Sequence, residues 1–262
     1  MTSRATRLRD PGQQVRLLPH GHTPREVTWG HCWQVGTPAY WIALTRETCT
    51  HTSISDSPVR HRLGGTLAEE IAACVLGGHG IPHHVGLAAF KAVRDSGALS
   101  PSSRKPVSIA DVLGKPIRLE DREIRYRFAA QRSAYLQMTL DRMHNDPPPS
   151  DALGLRRWLL ACRGIGPKTA SWIVRNHLGS NDVAIIDIHV LRAGIAAGVF
   201  DRAWNPARHY DLMEALFLAW ARHGRVSAAD LDAVIWSERA RWPAGYAIIG
   251  AAGQFRVKTQ QR

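Results

Sequence analysis

The sequence predicts a mainly α-helical protein with a small antiparallel β-sheet near its N-terminus. Two observations support this prediction. Apolar residues recur with helical periodicity in most stretches between residues 66 and 241, and short runs rich in aromatic and β-branched residues lie between residues 26 and 50. We therefore expect a helical body that follows a β-rich segment.

The first 65 residues divide into two parts by composition. Residues 1–24 are rich in Arg, Gly, Pro and Gln, so we expect a basic N-terminal segment in which only residues 15–18 suggest a strand. Residues 25–65 are expected to form a small β-rich subdomain and a linker. The runs VTWGHCWQV and AYWIALTRETC have β-forming composition and are separated by Gly36-Thr37-Pro38, which predicts two strands of the sheet.

Helices are predicted through the remaining residues, 66–262. Thr66 precedes the run LAEEIAACVL, with Glu69 three residues on as in a capping box, and Gly77-Gly78 ends the run. Further amphipathic stretches lie at residues 83–97, 120–143, 152–162, 168–178, 188–197, 206–223 and 228–241. Turn-forming residues predict loops at 100–106 and 146–150.

The charge balance indicates nucleic acid as the partner. The 262 residues include 34 Lys and Arg against 22 Asp and Glu, a formal net charge of +12, which attracts polyanions. The four cysteines form no C-x-x-C pair, so neither a zinc site nor an iron–sulfur cluster is predicted. We expect no cofactor and no metal requirement for catalysis.

The apolar runs are short. None is long enough to span a bilayer, and the start MTSRATRLRDPGQQVR lacks the apolar core of a secretory signal. We expect a monomer with no membrane partner and a cytoplasmic location, associated with the nucleoid if the protein is bacterial.

The stretch from Leu155 to Gly194 contains the residues with the clearest chemical meaning. A predicted helix ends near Arg163, the tight turn Gly164-Ile165-Gly166-Pro167 follows, and a second helix starts at Lys168. Glycines let the turn adopt unusual backbone angles and let backbone amides approach an anion closely. Together with a helix N-terminus, such a turn predicts a phosphate site that grips DNA without reading its sequence. The alternative is a helix connection that uses Gly and Pro for geometry only.

Asp187 lies between an apolar run and the next predicted helix. It follows VAII and precedes IHVL, so it is expected to be the N-cap of the helix over 188–197. A carboxylate at a helix N-terminus stays ionised and can stabilise a positive charge that develops nearby. The two roles are compatible.

The run G-I-G-P-K-T-A, followed by A-I-I-D-I-H, resembles the helix-hairpin-helix (HhH-GPD) DNA glycosylase superfamily. Lys168 and Asp187 are 187 − 168 = 19 positions apart, a spacing of the kind this superfamily uses. The resemblance implies two helical subdomains and makes Lys168 and Asp187 catalytic. A lysine directly after the hairpin resembles the bifunctional members, in which its amine expels the base, forms a Schiff base and allows β-elimination at the strand.

Other residues resemble the 8-oxoguanine DNA glycosylase/AP lyase branch. The segment T-W-G-H-C-W-Q implies that the Gly30 carbonyl reads the damaged base, with Trp33, Trp172 and Trp236 as candidate walls of the base pocket. His189 resembles a histidine that this branch places near a phosphate. We expect Arg163 and His189 to join Gly164, Ile165 and Gly166 in binding the DNA backbone. For each tryptophan, a core position is the alternative.

The turn after the first helix departs from that branch. The asparagine-rich turn of the family is replaced by Gly77-Gly78-His79-Gly80-Ile81-Pro82, which leaves recognition of the opposite base open. His79 and His83 are the candidates for the wedge that contacts the opposite strand, and a plain glycine-rich helix connection is the alternative.

The function predicted from the sequence is therefore a base-excision DNA glycosylase/AP lyase that flips out and removes an oxidised purine, 8-oxoguanine first. Its partner is double-stranded DNA that contains a lesion. A glycosylase of the same mechanism for another damaged or modified base is the first alternative. A helix-hairpin-helix protein that binds DNA without cutting it is the second.

Overall fold

The computed structural model describes residues 12–51, 61–78, 80–100, 107–119 and 122–241. The strands in these ranges are β1 (Gln14–Leu17), β2 (Arg25–Thr28), β3 (Ile117–Leu119) and β4 (Arg122–Ile124). The helices in the same ranges are α1 (Pro38–His51), α2 (Leu67–Leu76), α3 (His83–Asp95), α4 (Ile109–Gly114), α5 (Ala129–Asn145), α6 (Ala152–Leu160), α7 (Pro167–Leu178), α8 (Ile188–Ala196), α9 (Pro206–Gly224) and α10 (Ala228–Arg241). The mainly helical fold with a small N-terminal antiparallel sheet is confirmed.

The N-terminal sheet is a two-stranded hairpin. Strand β1 pairs antiparallel with β2, and Val15 lies opposite Val27. Both valines are buried and contribute to a hydrophobic core. Because β1 ends at Leu17 and β2 begins at Arg25, the predicted boundary after residue 24 falls inside this hairpin.

The second predicted strand of the sheet is wrong, because residues 38–51 form helix α1. Thr37 Oγ1 accepts a hydrogen bond from the Tyr40 amide at 3.2 Å, and Pro38 occupies the first helical position, where its missing N–H costs nothing. Trp41, Ile42 and Thr45 are buried along one face of the helix. Burial of this face outweighs the β-forming composition of the segment.

The predicted helix over 120–143 is wrong at its start. Strand β4 pairs antiparallel with β3 before the chain enters α5, and Arg118 lies opposite Glu123. Opposite charges at facing positions stabilise a hairpin. This accounts for the pairing of β4, in which Ile124 is the one β-branched residue. Most of the predicted loop at 100–106 lies outside the described residues.

The other predicted helices are present near their expected bounds. Thr66 caps α2, since its Oγ1 accepts a hydrogen bond from the Glu69 amide at 3.2 Å. The Glu69 carboxylate in turn accepts from the Gly65 amide at 2.6 Å, one residue earlier than in a standard capping box.

The chain divides into two compact units. The first unit comprises residues 1–54 and 184–262, and the second comprises residues 55–183. This division differs from the predicted boundaries after residues 24 and 65, because the first unit joins the N-terminal segment to the C-terminal helices. Within the described ranges, no helix combines the length and the apolar composition needed to cross a bilayer.

Each unit has its own hydrophobic core. In the first unit, α1, α8, α9 and α10 enclose buried aromatic side chains, the largest of which are Trp41, Phe200, Phe217 and Trp220. In the second unit, α2, α5, α6 and α7 enclose aliphatic side chains that include Ile71, Leu136, Leu155, Leu159 and Ile173. Lys168 belongs to the second unit and Asp187 to the first.

Candidate functional site

The predicted hairpin turn between α6 and α7 is present. Gly164 has φ +84°, a left-handed conformation that favours glycine, and any Cβ there would overlap the ring of Tyr135. Ile165 is buried and anchors the turn in the core of the second unit. Gly166 is the N-cap of α7, and a Cβ on this residue would meet no described atom within 4 Å.

The N-terminus of α7 has a geometry and a charge that suit an anion. Pro167 is its first residue, and no side chain among the described residues caps the helix. The first amides of a helix have no partner within it, and the aligned peptide dipoles give this end a partial positive charge. Arg163 is exposed beside the turn, with its guanidinium carbon 5.8 Å from the centroid of the Tyr135 ring. A phosphate at this end would meet backbone amides and a cation together.

Lys168 lies in the first turn of α7 and is half-buried. Its Nζ is 5.7 Å from the centroid of the Trp172 ring, one helical turn further on. A Cβ built on Gly77 would lie 3.4 Å from that ring, so the indole fits between the end of α2 and the lysine. Trp172 thus lies next to Lys168, as the helical spacing predicted.

A buried carboxylate fixes α7 within the second unit. Glu70 on α2 is fully buried, and its Oε1 accepts a hydrogen bond from Asn176 Nδ2 at 2.7 Å. Its Oε2 accepts from the amides of Leu63 and Gly64 at 2.8 and 3.0 Å. Burial, and then the Glu70 carboxylate, raise the pKa of the Cys74 thiol well above its usual value, so this thiol stays protonated beside the network. The helix that carries Lys168 is therefore held by hydrogen bonds as well as by packing.

Asp187 is the N-cap of α8, as predicted. Its Oδ1 accepts hydrogen bonds from the amides of His189 and Val190, each at 2.8 Å. None of the hydrogen bonds among the described residues uses Oδ2 of Asp187. The aspartate is half-buried, so one oxygen holds the helix while the other remains available to a substrate.

The predicted base-pocket residues of the first unit lie in two places. Gly30 has φ +73° and packs against Thr37, and its carbonyl accepts no hydrogen bond from the described residues. Trp33 is 72% exposed and stacks on His31, with ring centroids 4.5 Å apart and an interplanar angle of 2°. Trp33 is therefore not a core residue, which removes the alternative for this tryptophan.

The second place is the start of α8. Trp236 of α10 is 42% exposed, and its ring meets the His189 ring edge-on with centroids 6.4 Å apart. His189 itself is half-buried, and it directly follows the exposed Ile188. The Trp236 ring thus lies against His189, which is two residues after the Asp187 cap of α8.

The turn assigned to the opposite-strand wedge packs against two residues that the sequence did not point to, Phe128 and Arg132. His79 lies outside the described residues, and His83 is exposed at the first position of α3. A Cβ on Gly80 would lie 3.5 Å from the Phe128 ring, and a Cβ on Gly78 would lie 3.2 Å from the Arg132 guanidinium. This turn therefore packs against an aromatic ring and a cation as well as preceding His83.

Phe128 is flanked by cations. The guanidinium carbons of Arg127 and Arg132 are 5.1 and 6.0 Å from the centroid of its ring. The signal in the sequence is the run R-Y-R-F at residues 125–128, in which cationic and aromatic residues alternate. Such a combination suits both phosphates and unstacked bases.

A helix N-terminus that no described side chain caps, after a Gly-x-Gly turn on a strongly basic chain, is typical of DNA-binding proteins of the helix-hairpin-helix class. A family model described as 8-oxoguanine DNA glycosylase matches residues 67–224. This match covers more than half of the 262 residues, so the chain belongs to the 8-oxoguanine DNA glycosylase family. The resemblance seen in the hairpin and aspartate motifs is thereby confirmed, and the chain is a DNA glycosylase.

Two solved structures are similar to this chain. One is the 8-oxoguanine glycosylase/lyase of Methanocaldococcus jannaschii in complex with 15-mer DNA containing 8-oxoguanine, with a TM-score of 0.50 and 19% identity over 78% of this chain and 89% of that chain. The other is the 8-oxoguanine DNA glycosylase of Thermotoga maritima, with a TM-score of 0.48 and 19% identity over 76% of this chain and 86% of that chain. At this level of identity, the first of these likenesses supports the fold alone.

Proposed function

We propose that this protein excises 8-oxoguanine from double-stranded DNA and then cleaves the strand through a Schiff base on Lys168. Lys168 lies in the first turn of α7, the helix whose N-terminus would bind a DNA phosphate, and the proposal rests on this position. The family match supports the choice of 8-oxoguanine. The relative from M. jannaschii was solved with DNA that contains this lesion, and we propose the same class of partner here.

The proposed reaction starts with the Lys168 amine in its neutral form. The Nζ lone pair attacks C1′ of the deoxyribose, the glycosidic bond breaks, and the base leaves with the bonding electrons and takes up a proton. The C1′–O4′ bond then breaks and O4′ takes up a proton, which leaves the ring-opened sugar joined to Nζ as a Schiff base. Loss of a proton from C2′ allows the C3′–O bond to break, which releases the 3′ phosphate by β-elimination. Hydrolysis returns the free amine.

Asp187 would act on the charge that develops as the base departs. Its Oδ1 is already engaged by two amides of α8, and its Oδ2 is available to stabilise the cationic sugar. A carboxylate that is fixed before the reaction needs no reorganisation during it. The Asp187 carboxylate meets this condition because it also caps α8.

The hairpin would hold the DNA while these steps proceed. We propose that the amides of Gly164, Ile165 and Gly166 bind a phosphate, with Arg163 and His189 as further contacts. The damaged base would be read by the Gly30 carbonyl, which can accept a hydrogen bond from the protonated N7 of 8-oxoguanine. Exposed Trp33 and Trp236 are the proposed stacking surfaces for the flipped nucleotide, and Trp172 is proposed to flank the lysine.

The test is borohydride trapping with a panel of duplexes that carry 8-oxoguanine, other damaged bases or no lesion. Borohydride reduces only a Schiff base, so we expect a covalent adduct with the 8-oxoguanine duplex and none with Lys168→Gln. That variant should still bind DNA in a gel-shift assay, because the hairpin amides remain. No adduct on any duplex would contradict the lyase proposal, and an adduct with Lys168→Gln would move the nucleophile elsewhere.

The panel also tests the choice of base. The turn at residues 77–82 lacks the asparagines of the family pattern, which favours a different opposite-base preference or a different lesion as the second candidate. A larger trapped fraction on another modified base than on 8-oxoguanine would select that candidate.

A further inference from the structure

The segment that leads into Asp187 is buried and belongs to no helix or strand. Ala184, Ile185 and Ile186 are all buried, and the described residues provide no strand beside them. Buried backbone N–H and C=O groups need hydrogen-bond partners, so other groups must take the place of a neighbouring strand.

Two side chains of α9 supply these partners. Glu214 Oε1 accepts a hydrogen bond from the Ala184 amide at 2.8 Å. The Tyr210 hydroxyl donates to the Ala184 carbonyl at 2.9 Å and accepts from the Ile186 amide at 3.2 Å. Tyr210 and Glu214 are four residues apart, on one face of the helix, and both are buried.

The helix is interrupted where this contact begins. His209 has φ −123° and ψ 19°, outside helical geometry, and it directly precedes Tyr210. The His209 Nδ1 lies 3.2 Å from both the amide nitrogen and the carbonyl oxygen of Asn205, the N-cap of α9. The contact with Ala184 and Ile186 thus begins at the first residue after the break.

The position of the Asp187 carboxylate is thereby determined from both sides. Before it, α9 holds the backbone as far as Ile186, and the Asp187 amide donates to the Ile185 carbonyl at 3.0 Å. After it, Oδ1 binds two amides of α8. A shift of the segment would move Oδ2, the oxygen that the proposed reaction uses.

We propose that Tyr210 and Glu214 are positioning residues for base excision. Their hydrogen bonds to the backbone of Ala184 and Ile186 fix the position of the Asp187 carboxylate. This inference rests on the proposed glycosylase function. Because Asp187 acts as the base departs, the contacts matter for excision and not for cleavage at a site that has already lost its base. The two steps are therefore expected to respond differently.

The experiment compares Tyr210→Phe with the wild-type protein in single-turnover assays on two duplexes. One duplex carries 8-oxoguanine and the other carries a preformed abasic site. Tyr210→Phe removes the two hydrogen bonds of the hydroxyl to Ala184 and Ile186 and keeps the ring. We expect excision to slow by about 10-fold or more, since small displacements of a catalytic group have effects of this size. Cleavage at the abasic site and the dissociation constant for DNA should stay within about 2-fold of wild type, because the variant leaves the α7 contacts intact.

A second pair of variants keeps the test decisive if Tyr210→Phe folds poorly. Glu214→Gln retains an acceptor for the Ala184 amide, whereas Glu214→Met does not, so excision should be rescued in the first and impaired in the second. Leu216→Val, in the same helix and core but without contact to the segment's hydrogen bonds, controls for loss of stability. Thermal melts of all variants accompany the kinetics.

The outcomes separate this inference from the proposed function. If the wild-type protein excises 8-oxoguanine and both Tyr210→Phe and Glu214→Met excise it at the same rate, the inference is overturned and the proposed function stands. If Tyr210→Phe lost excision and abasic-site cleavage equally, and Leu216→Val of the same stability lost both as well, the role of Tyr210 would be purely structural. That result would also overturn the inference. Absence of excision and trapping in the wild type would overturn the proposed function itself.

Discussion

Gly164 and Gly166 lie two residues apart in the hairpin turn, and they are glycines for different reasons. Gly164 has a left-handed φ of +84° and the Tyr135 ring lies where its Cβ would be. Gly166 has φ −92°, which any residue adopts, and a Cβ there would point into open space. The first glycine is needed for the fold of the turn, and the second leaves room for a ligand.

The two glycines therefore respond differently to alanine. Gly164→Ala should cost about 1–3 kcal/mol of unfolding free energy, from overpacking against Tyr135 and an unfavourable φ. Gly166→Ala should cost less stability, because its only penalty is that alanine is a poorer N-cap than glycine, but it should weaken DNA binding because its methyl group occupies the space of the phosphate. Urea unfolding and a DNA titration of both variants test this pair. A stable Gly166→Ala with wild-type affinity would contradict the phosphate site.

The sequence predicts individual residues well where a short motif defines their neighbours. The turn, Lys168 and the Asp187 cap all lie within a few residues of the groups that shape them, so local chemistry was sufficient. Phe128 and Arg132 were missed, because their contacts with the turn at residues 77–82 join positions about 50 apart in the chain. Composition cannot show such a contact.

At the scale of elements, α8 depends on one oxygen of its cap. Asp187→Asn keeps an acceptor for the amides of His189 and Val190, and asparagine is as good an N-cap as aspartate. We expect its stability to be close to that of wild type while excision falls by about 100-fold or more, the size of effect seen when an electrostatic group is removed from a transition state. Asp187→Ala should lose excision and also about 1 kcal/mol of stability.

Thermal melts beside single-turnover kinetics separate the two roles of this aspartate. If Asp187→Asn excised 8-oxoguanine at the wild-type rate, Asp187 would be a helix cap only. If Asp187→Ala were as stable as Asp187→Asn, the cap would contribute less than its two hydrogen bonds indicate.

Helix α1 shows the limit of prediction at this scale. Its sequence has β-forming composition, and the helical face with Trp41 and Ile42 becomes distinct only when α9 and α10 cover it. The strand β4 was missed for a similar reason, because its pairing with β3 depends on a facing partner and not on its own three residues. Tertiary contacts decided both elements.

At the scale of the whole molecule, the first unit is assembled from both ends of the chain. Buried side chains of residues 15–42 share one core with buried side chains of residues 184–235, so segments far apart in the sequence form one unit. The sequence pattern reports periodicity within a segment, and it is silent about which distant segments meet. The class of fold followed from the pattern, whereas the division into units required the structure.

The stability of the molecule should depend on His177 at mildly acidic pH. Burial, and then the Arg62 guanidinium, lower the pKa of His177 below its ordinary value of 6.5. The unfolded chain therefore binds a proton at a higher pH than the folded one, so this contribution to stability is complete above pH 6.5 and is lost as the pH falls below it. We expect the melting temperature to decline less between about pH 7.5 and pH 5.5 in His177→Gln than in wild type.

His144→Gln is the matched control for this comparison. His144 is exposed on α5 in the same unit, so the variant removes a histidine without removing a half-buried ring such as that of His177. An equal decline of the melting temperature in wild type and His177→Gln would contradict the assignment of the acid sensitivity to His177.

Lys168 is the proposed nucleophile of the glycosylase, and the position of the trapped adduct in the chain tests this assignment. The wild-type protein is incubated with 8-oxoguanine duplex and borohydride, digested with nuclease and protease, and sequenced by mass spectrometry. The chain has five lysines, at positions 91, 105, 115, 168 and 258, so the modified residue can be assigned without ambiguity. We predict that the reduced sugar remnant is found on Lys168. A remnant on any other residue, or an unmodified Lys168 in protein that has nicked the lesion strand, would contradict the claim.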